Sequence, residues 1–188
     1  MTTNRHMTLS FRAFFAGFLL LAGLAVAGTA HAETKIAVVD VQTLMTESKA
    51  AKDIERQLKA HRDALEKTFS EKQEALRALD QSLTQRRKDM SAEDFQKEKG
   101  SFEKKILEAR QMAEKEGRAM DKAAAAAIGQ LKKEIIVVVA DIADAQGYGL
   151  VMTRDNVLLA EKEMAITPAV MAALDKKLPS VKVDFAKE

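Results

Sequence analysis

The chain has 188 residues, 30 of them basic and 28 acidic, with three histidines, no cysteine and a formal charge of +2. Without a thiol there is no disulfide, no cysteine nucleophile and no cysteine-based zinc site. Nor does so balanced a charge suit a nucleic-acid surface, which usually needs a strongly basic face. At the N-terminus, Arg5 and Arg12 precede an apolar run over residues 13–26, and Ala30-His31-Ala32 follows. That order is the n-region, h-region and A-x-A site of a secretory signal. About 14 apolar residues are short against the roughly 20 of a spanning helix. Cleavage before Glu33 and export of a soluble protein are therefore expected. Removing Arg5 and Arg12 leaves the mature chain formally neutral, with a slight basic excess over residues 56–110. His61 is then the last imidazole, so catalytic, cofactor and metal residues are not expected.

Lys35 to Val41, KIAVVDV, is short and β-branched and reads as a strand. From about Glu47 the period becomes helical. Ile54, Leu58, His61, Leu65, Phe69, Leu76, Leu79, Leu83 and Met90 recur at helical steps, with His61, Lys72 and Arg86 interrupting the stripe. The step of eleven from Leu65 to Leu76 breaks the heptads that flank it, which relaxes a left-handed supercoil. His61 reads as a wet seam residue. At Ser91 a second helix signature begins. Ser91 with Asp94 is an approximate capping box, Glu93 and Asp94 suit the positive end of a helix, and Arg87 and Lys88 suit the negative end of the one before. An antiparallel helical hairpin reversing near residues 89–91 is expected, a single continuous helix being the alternative. Its outgoing arm would be roughly 55 Å long, supported by the pairs Glu55–Lys59, Asp63–Lys67, Glu93–Lys97 and Glu114–Arg118.

The returning helix gains apolar density over residues 123–140 and ends at Gly147. Tyr148–Met152 reads as a strand, Arg154–Asn156 as a turn and Val157–Ala160 as the answering strand of a hairpin. Thr167 and Pro168 supply an N-cap and a first-turn proline for a last helix, with Ile166 and Met171 as its staple. Residues 181–185 read as an added edge strand or a loose tail. The fold class is thus mainly α with a small β-body. A signal peptide occupies 1–32, a β-containing body 33–53 and 121–188, and a helical-hairpin arm 54–120. So few strands make a poor core alone, and an unpaired edge invites association. Ile36, Val38 and Val151 are the candidates for a β-core shared between subunits.

KIAVVDV, a charged hairpin reversing at MSAED, YGLVMTRDNVLLA and ITPAVMAALDKKL, in that order, resemble the Skp (OmpH-like) family of periplasmic chaperones. The resemblance implies a homotrimer in which helical arms project from a central β-body around a cavity. It implies ATP-independent holding of unfolded outer-membrane β-barrel proteins in the periplasm, and no catalytic residues. The chain departs from the strongly basic relatives in its neutral mature charge. On the arm, Phe69, Met90, Phe95, Phe102 and Met112 are the candidate client contacts, scattered among charges as a promiscuous binder requires. Arg86, Arg87 and Lys88 are candidates for anionic lipid headgroups or lipopolysaccharide, or else simply a solvated helix end. The alternative to a holdase is a coiled-coil envelope adaptor or spacer with one fixed partner.

Overall fold

The computed structural model describes residues 34–185, and the expected signal segment lies outside them. Strand β1, Lys35–Val39, is followed by a short helix α1, Val41–Glu47. Asp40 makes the junction. Its carboxylate accepts the Thr43 N–H at 2.8 Å, satisfying one of the free donors of a first helical turn. Ser48 repeats the device, breaking α1 with an extended backbone and accepting the Ala51 N–H at 3.2 Å to open α2, Lys49–Arg86. Sequence periodicity places the strand end at Val41 and the helix start near Glu47. The two caps insert α1 between them, a hydrogen-bonding choice that apolar spacing does not encode.

The reversal lies where the capping signature puts it. Asp89 N–H bonds the Arg86 carbonyl at 3.0 Å, and α3, Ala92–Gln146, starts after Ser91. Ser91 Oγ accepts the Asp94 N–H at 3.1 Å and donates to Asp94 Oδ2 at 2.7 Å. In a full capping box that carboxylate would take the Ser91 N–H instead. At the far end Gly147 closes α3 with φ at 71°, a left-handed conformation that costs glycine nothing.

Strand β2, Tyr148–Thr153, lies parallel to β1, with Ile36 opposite Leu150, Ala37 opposite Val151 and Val38 opposite Met152. A parallel pair needs a crossover, and here the crossover is the whole run from α1 to α3. The other edge of β1 is engaged at Val38, whose carbonyl accepts the Ile166 N–H at 2.9 Å. The sequence expectation of a hairpin with Val157–Ala160 is not met. A 3-10 turn at Arg154–Asn156 leads into an irregular stretch in which Leu158 is fully exposed and Leu159 is 90% exposed. A strand gains by burying alternate side chains, and this protomer offers no surface for two consecutive leucines, so pairing there would bury nothing.

Helix α4, Thr167–Lys177, packs on α3. Ile166 occupies its cap position. Thr167, expected as the cap, instead accepts the Asp40 N–H on its hydroxyl at 2.8 Å, tying the helix start to the end of β1. The core lies on one side of the strand pair. Ala37 and Val39 meet Leu44, Ile54, Leu131, Ile135, Val170 and Leu174 there. Residues 181–185 are neither an edge strand nor loose: Val181 and Val183 are buried in that same core.

Candidate functional site

The hairpin of α2 and α3 beyond the body is almost without a dry interior. Between residues 55 and 120 only Leu83 and Glu116 are buried. Along part of the seam the sizes are mismatched. Leu65, Phe69 and Leu76 on α2 meet Ala109, Ala113 and Gly117 on α3, and with Ile106 and Met120 they line an open groove of ≈ 840 Å³. A second groove of ≈ 300 Å³ lies between Leu76, Leu79 and Met112, and a third of ≈ 200 Å³ between Leu83 and Phe102 near the tip. Interlocking knobs would have closed these spaces. The eleven-residue step from Leu65 to Leu76 prevents a regular interlock.

Phe69, Phe102 and Met112 therefore sit half-buried, each on a different groove, rather than together in one pocket. Phe95 is also half-buried, and the Arg87 guanidinium lies over its ring at 4.9 Å from the centroid. Met90 stands half-buried in the reversal. Of the three basic candidates, Arg86 forks onto the Glu98 carboxylate at 3.0 and 2.5 Å. With Arg87 on Phe95, only Lys88 is left without a partner among the described residues. The tip thus spends two of its cations on holding itself together.

Some of the charges lower on the arm are likewise paired locally. Lys59 bonds Asp63 at 2.7 Å instead of the expected Glu55, while Glu114 and Arg118 meet at 3.8 Å as expected. Lys99–Glu103 and Lys104–Glu108 follow at 3.6 and 3.9 Å. His61 does not serve the seam. It is turned away onto Phe185, with the ring centroids 3.9 Å apart.

In the body, the parallel register decides which face each strand residue takes. Ala37 and Val151 point into the protomer's core, and Ile36 and Leu150 share the opposite face, 39% and 47% exposed. Val38 shares that outer face but is only 3% exposed, with Ala165 alongside. Of the three sequence candidates for association, Ile36 stands open, Val38 is already covered and Val151 belongs to the inner face. Leu150, Leu158 and Leu159 are also exposed, as are Ile128, Ile136 and Val137 on α3, and sequence reasoning singled out none of them for association. A signal was present in the two adjacent leucines, which one-sided burial within a protomer cannot satisfy.

Comparison with known proteins agrees with this architecture. The structure resembles a crystal structure of an OmpH-like protein from Caulobacter crescentus CB15, to which an outer membrane chaperone role has been ascribed. The TM-score is 0.77 at 17% identity, over 82% of this chain and 91% of that one. No protein with a curated description matches the chain. The model of the family described as outer membrane protein (OmpH-like) matches residues 35–174, from the first strand through most of the last helix. The chain belongs to the OmpH-like outer membrane protein family.

Proposed function

We propose that the protein is an ATP-independent periplasmic holdase that keeps unfolded outer-membrane β-barrel proteins from aggregating. In this reading it works as a homotrimer whose arms surround the client. The observation that carries it is the arm without a dry core. Half-open apolar grooves, spaced along some tens of ångströms and bordered by charged side chains, suit weak contacts with many unrelated segments. A structural spacer gains nothing from leaving its seam open, since a closed seam is stiffer and more stable. Membership of the OmpH-like family supports the same reading.

Association is supported by the body. Ile36 and Leu150 expose an apolar sheet face, Leu158 and Leu159 stand free, and the outer edge of β2 has no partner strand among the described residues. Adjoining apolar surface and an open strand edge together are what a second copy would cover. Anionic lipid or lipopolysaccharide is a further part of the proposal, with Lys88 as the candidate of the three that is left to meet it.

The test is suppression of aggregation by the processed protein, without nucleotide, of several unrelated unfolded barrels diluted from denaturant. Protection of all of them at near-stoichiometric amounts is expected. Protection of one only, or of none, would return the adaptor reading.

A further inference from the structure

The segment after α4 does something that neither the family match, which ends at Leu174, nor the holdase reading describes. Val181 to Phe185 crosses the root of α2 without forming a helix or strand of its own. Gln57 receives it as a neighbouring strand would. Its Nε2 donates to the Val181 carbonyl at 2.8 Å, and its Oε1 accepts the Val183 N–H at 3.0 Å. The amide is held in that orientation by Asp53, whose buried carboxylate accepts the second Nε2 hydrogen at 2.7 Å and is also bonded by Arg56. Turning the amide over would set an oxygen against two oxygens and an NH₂ against an N–H, so the network admits one orientation. On either side of this clip, Val181 and Val183 are buried. One turn further along α2, Phe185 stacks on His61 with the rings 12° from parallel.

We propose that residues 181–185 are a strap that fixes the root of the arm, so that α2 is held to the body as far as His61 and is free to bend only beyond it. Without the strap, α2 would be anchored by Ile54 and by Leu58, the last of its side chains packed on the core. The strap adds about one turn to the anchored length. Its grip has two separable parts: a side-chain amide that reads backbone, and an aromatic stack at the rim. Both act on the arm's root rather than on the seam or the grooves, so the strap sets where the arm pivots and leaves what it binds unchanged. The inference does not depend on the holdase reading.

Amide hydrogen exchange on the full processed protein tests it. Two variants are compared with the parent, Gln57→Ala and Phe185→Ala. Alanine is at least as good a helix former as glutamine, so faster exchange around Gln57→Ala cannot arise from weakened helix propensity. Amides of residues 55–63 are expected to exchange about fivefold faster in each variant, the factor that corresponds to one ordinary hydrogen bond. Amides of residues 131–138, in the core half of α3, are expected to be unchanged. Unaltered exchange over 55–63 would overturn the strap. An equal acceleration over 131–138 would also overturn it, showing the tail to be only another piece of core. Should Gln57→Ala fail to fold, Phe185→Ala alone decides, because its ring lies at the rim outside the buried pair of valines.

Discussion

Helix α3 is one uninterrupted helix with two different lives. Over its second half Ala123, Ala127, Leu131, Ile135 and Val138 form a continuous buried stripe against the strands and α4. Over its first half, from Ala92 to Met120, only Glu116 is buried. The same backbone geometry serves both, even though Ile135 to Val139 are β-branched and poorer helix formers than the Glu- and Lys-rich first half, so secondary structure is not what separates them. The difference is what lies opposite: a body with complementary volume, or a second helix with mismatched side chains. Stability is thereby concentrated in one half, and the other is left to caps, local ion pairs and a half-wet seam. The arm is thus built from a helix whose fold is secured elsewhere, which suits the proposed holding of many clients.

Removing volume on each side measures this contrast directly. Leu131→Ala opens a cavity in a site with almost no solvent and should cost about 2–5 kcal/mol. Leu76→Ala, flanked by grooves that are already open, should cost about 1 kcal/mol or less. Chemical denaturation of the two variants beside the parent checks it. Equal losses would mean that the arm seam contributes as much to the cooperative fold as the body does.

Two residues of the sheet's outer face offer a second contrast. Val38→Asp puts a charge where residue 165 already covers the strand, and should unfold the protomer's base at a cost of several kcal/mol. Ile36→Asp, two residues earlier on the same face but exposed, should leave helicity intact while abolishing association. Sedimentation and circular dichroism together separate the two outcomes. An unchanged oligomer in Ile36→Asp would place the subunit contacts elsewhere, most simply along the arms.

The features legible in the sequence are those whose causes are local. Ser91 with Asp94 gave the reversal, Gly147 the end of α3, and the apolar density after Ala123 the half of the helix that is buried. What was hidden depends on partners far along the chain. The parallel register of β1 and β2, with its irregularity between Lys35 and Ile36, turns Val151 inward and Leu150 outward, and nothing near either residue says so. Gln57 and Val181 are 124 positions apart, so the tail could be read only as an edge strand or as loose. Val157–Ala160 has the composition of a strand but lacks an inner surface to face. The groove residues Phe69, Phe102 and Met112 were legible as apolar exceptions on a charged arm. That two of the three tip cations are engaged was not, because Glu98 and Phe95 reach them across the turn.

A smaller effect tests the caps of the body by pH. The Asp40 carboxyl is held below its ordinary value of 3.8, chiefly by the Thr43 backbone N–H, then by the Thr43 side chain, with burial opposing both. A lowered folded value means that the ionised form stabilises the fold. That contribution is complete above 3.8 and is lost as pH falls through the lowered value. Asp40→Asn keeps an N-cap acceptor but cannot titrate, so its acid-unfolding curve should be shallower than the parent's, with a neutral-pH difference of about 1 kcal/mol or less. Coincident acid-unfolding curves for the two proteins would show that the cap charge does not matter.

The smallest expected effect concerns salt, and it bears on how the arm grips. Some of the tip and shaft cations are matched on the arm itself: Arg86 by Glu98, Lys59 by Asp63, Lys99 by Glu103, Lys104 by Glu108 and Arg118 by Glu114. A charge already paired at close range presents little field to a client, and screening at physiological salt reduces what remains beyond about 8 Å. The grooves, by contrast, act through apolar contact, which moderate salt does not weaken. Client affinity should therefore fall by less than about threefold between low and physiological salt, roughly the worth of one exposed ion pair. Lys88→Ala, which removes an unmatched tip cation, should change it less still. Titration of a labelled unfolded barrel at the two salt concentrations checks both statements. A tenfold loss with salt, reproduced by Lys88→Ala at low salt, would make the tip rather than the grooves the principal client contact, and would reverse the division of labour between arm surface and arm seam.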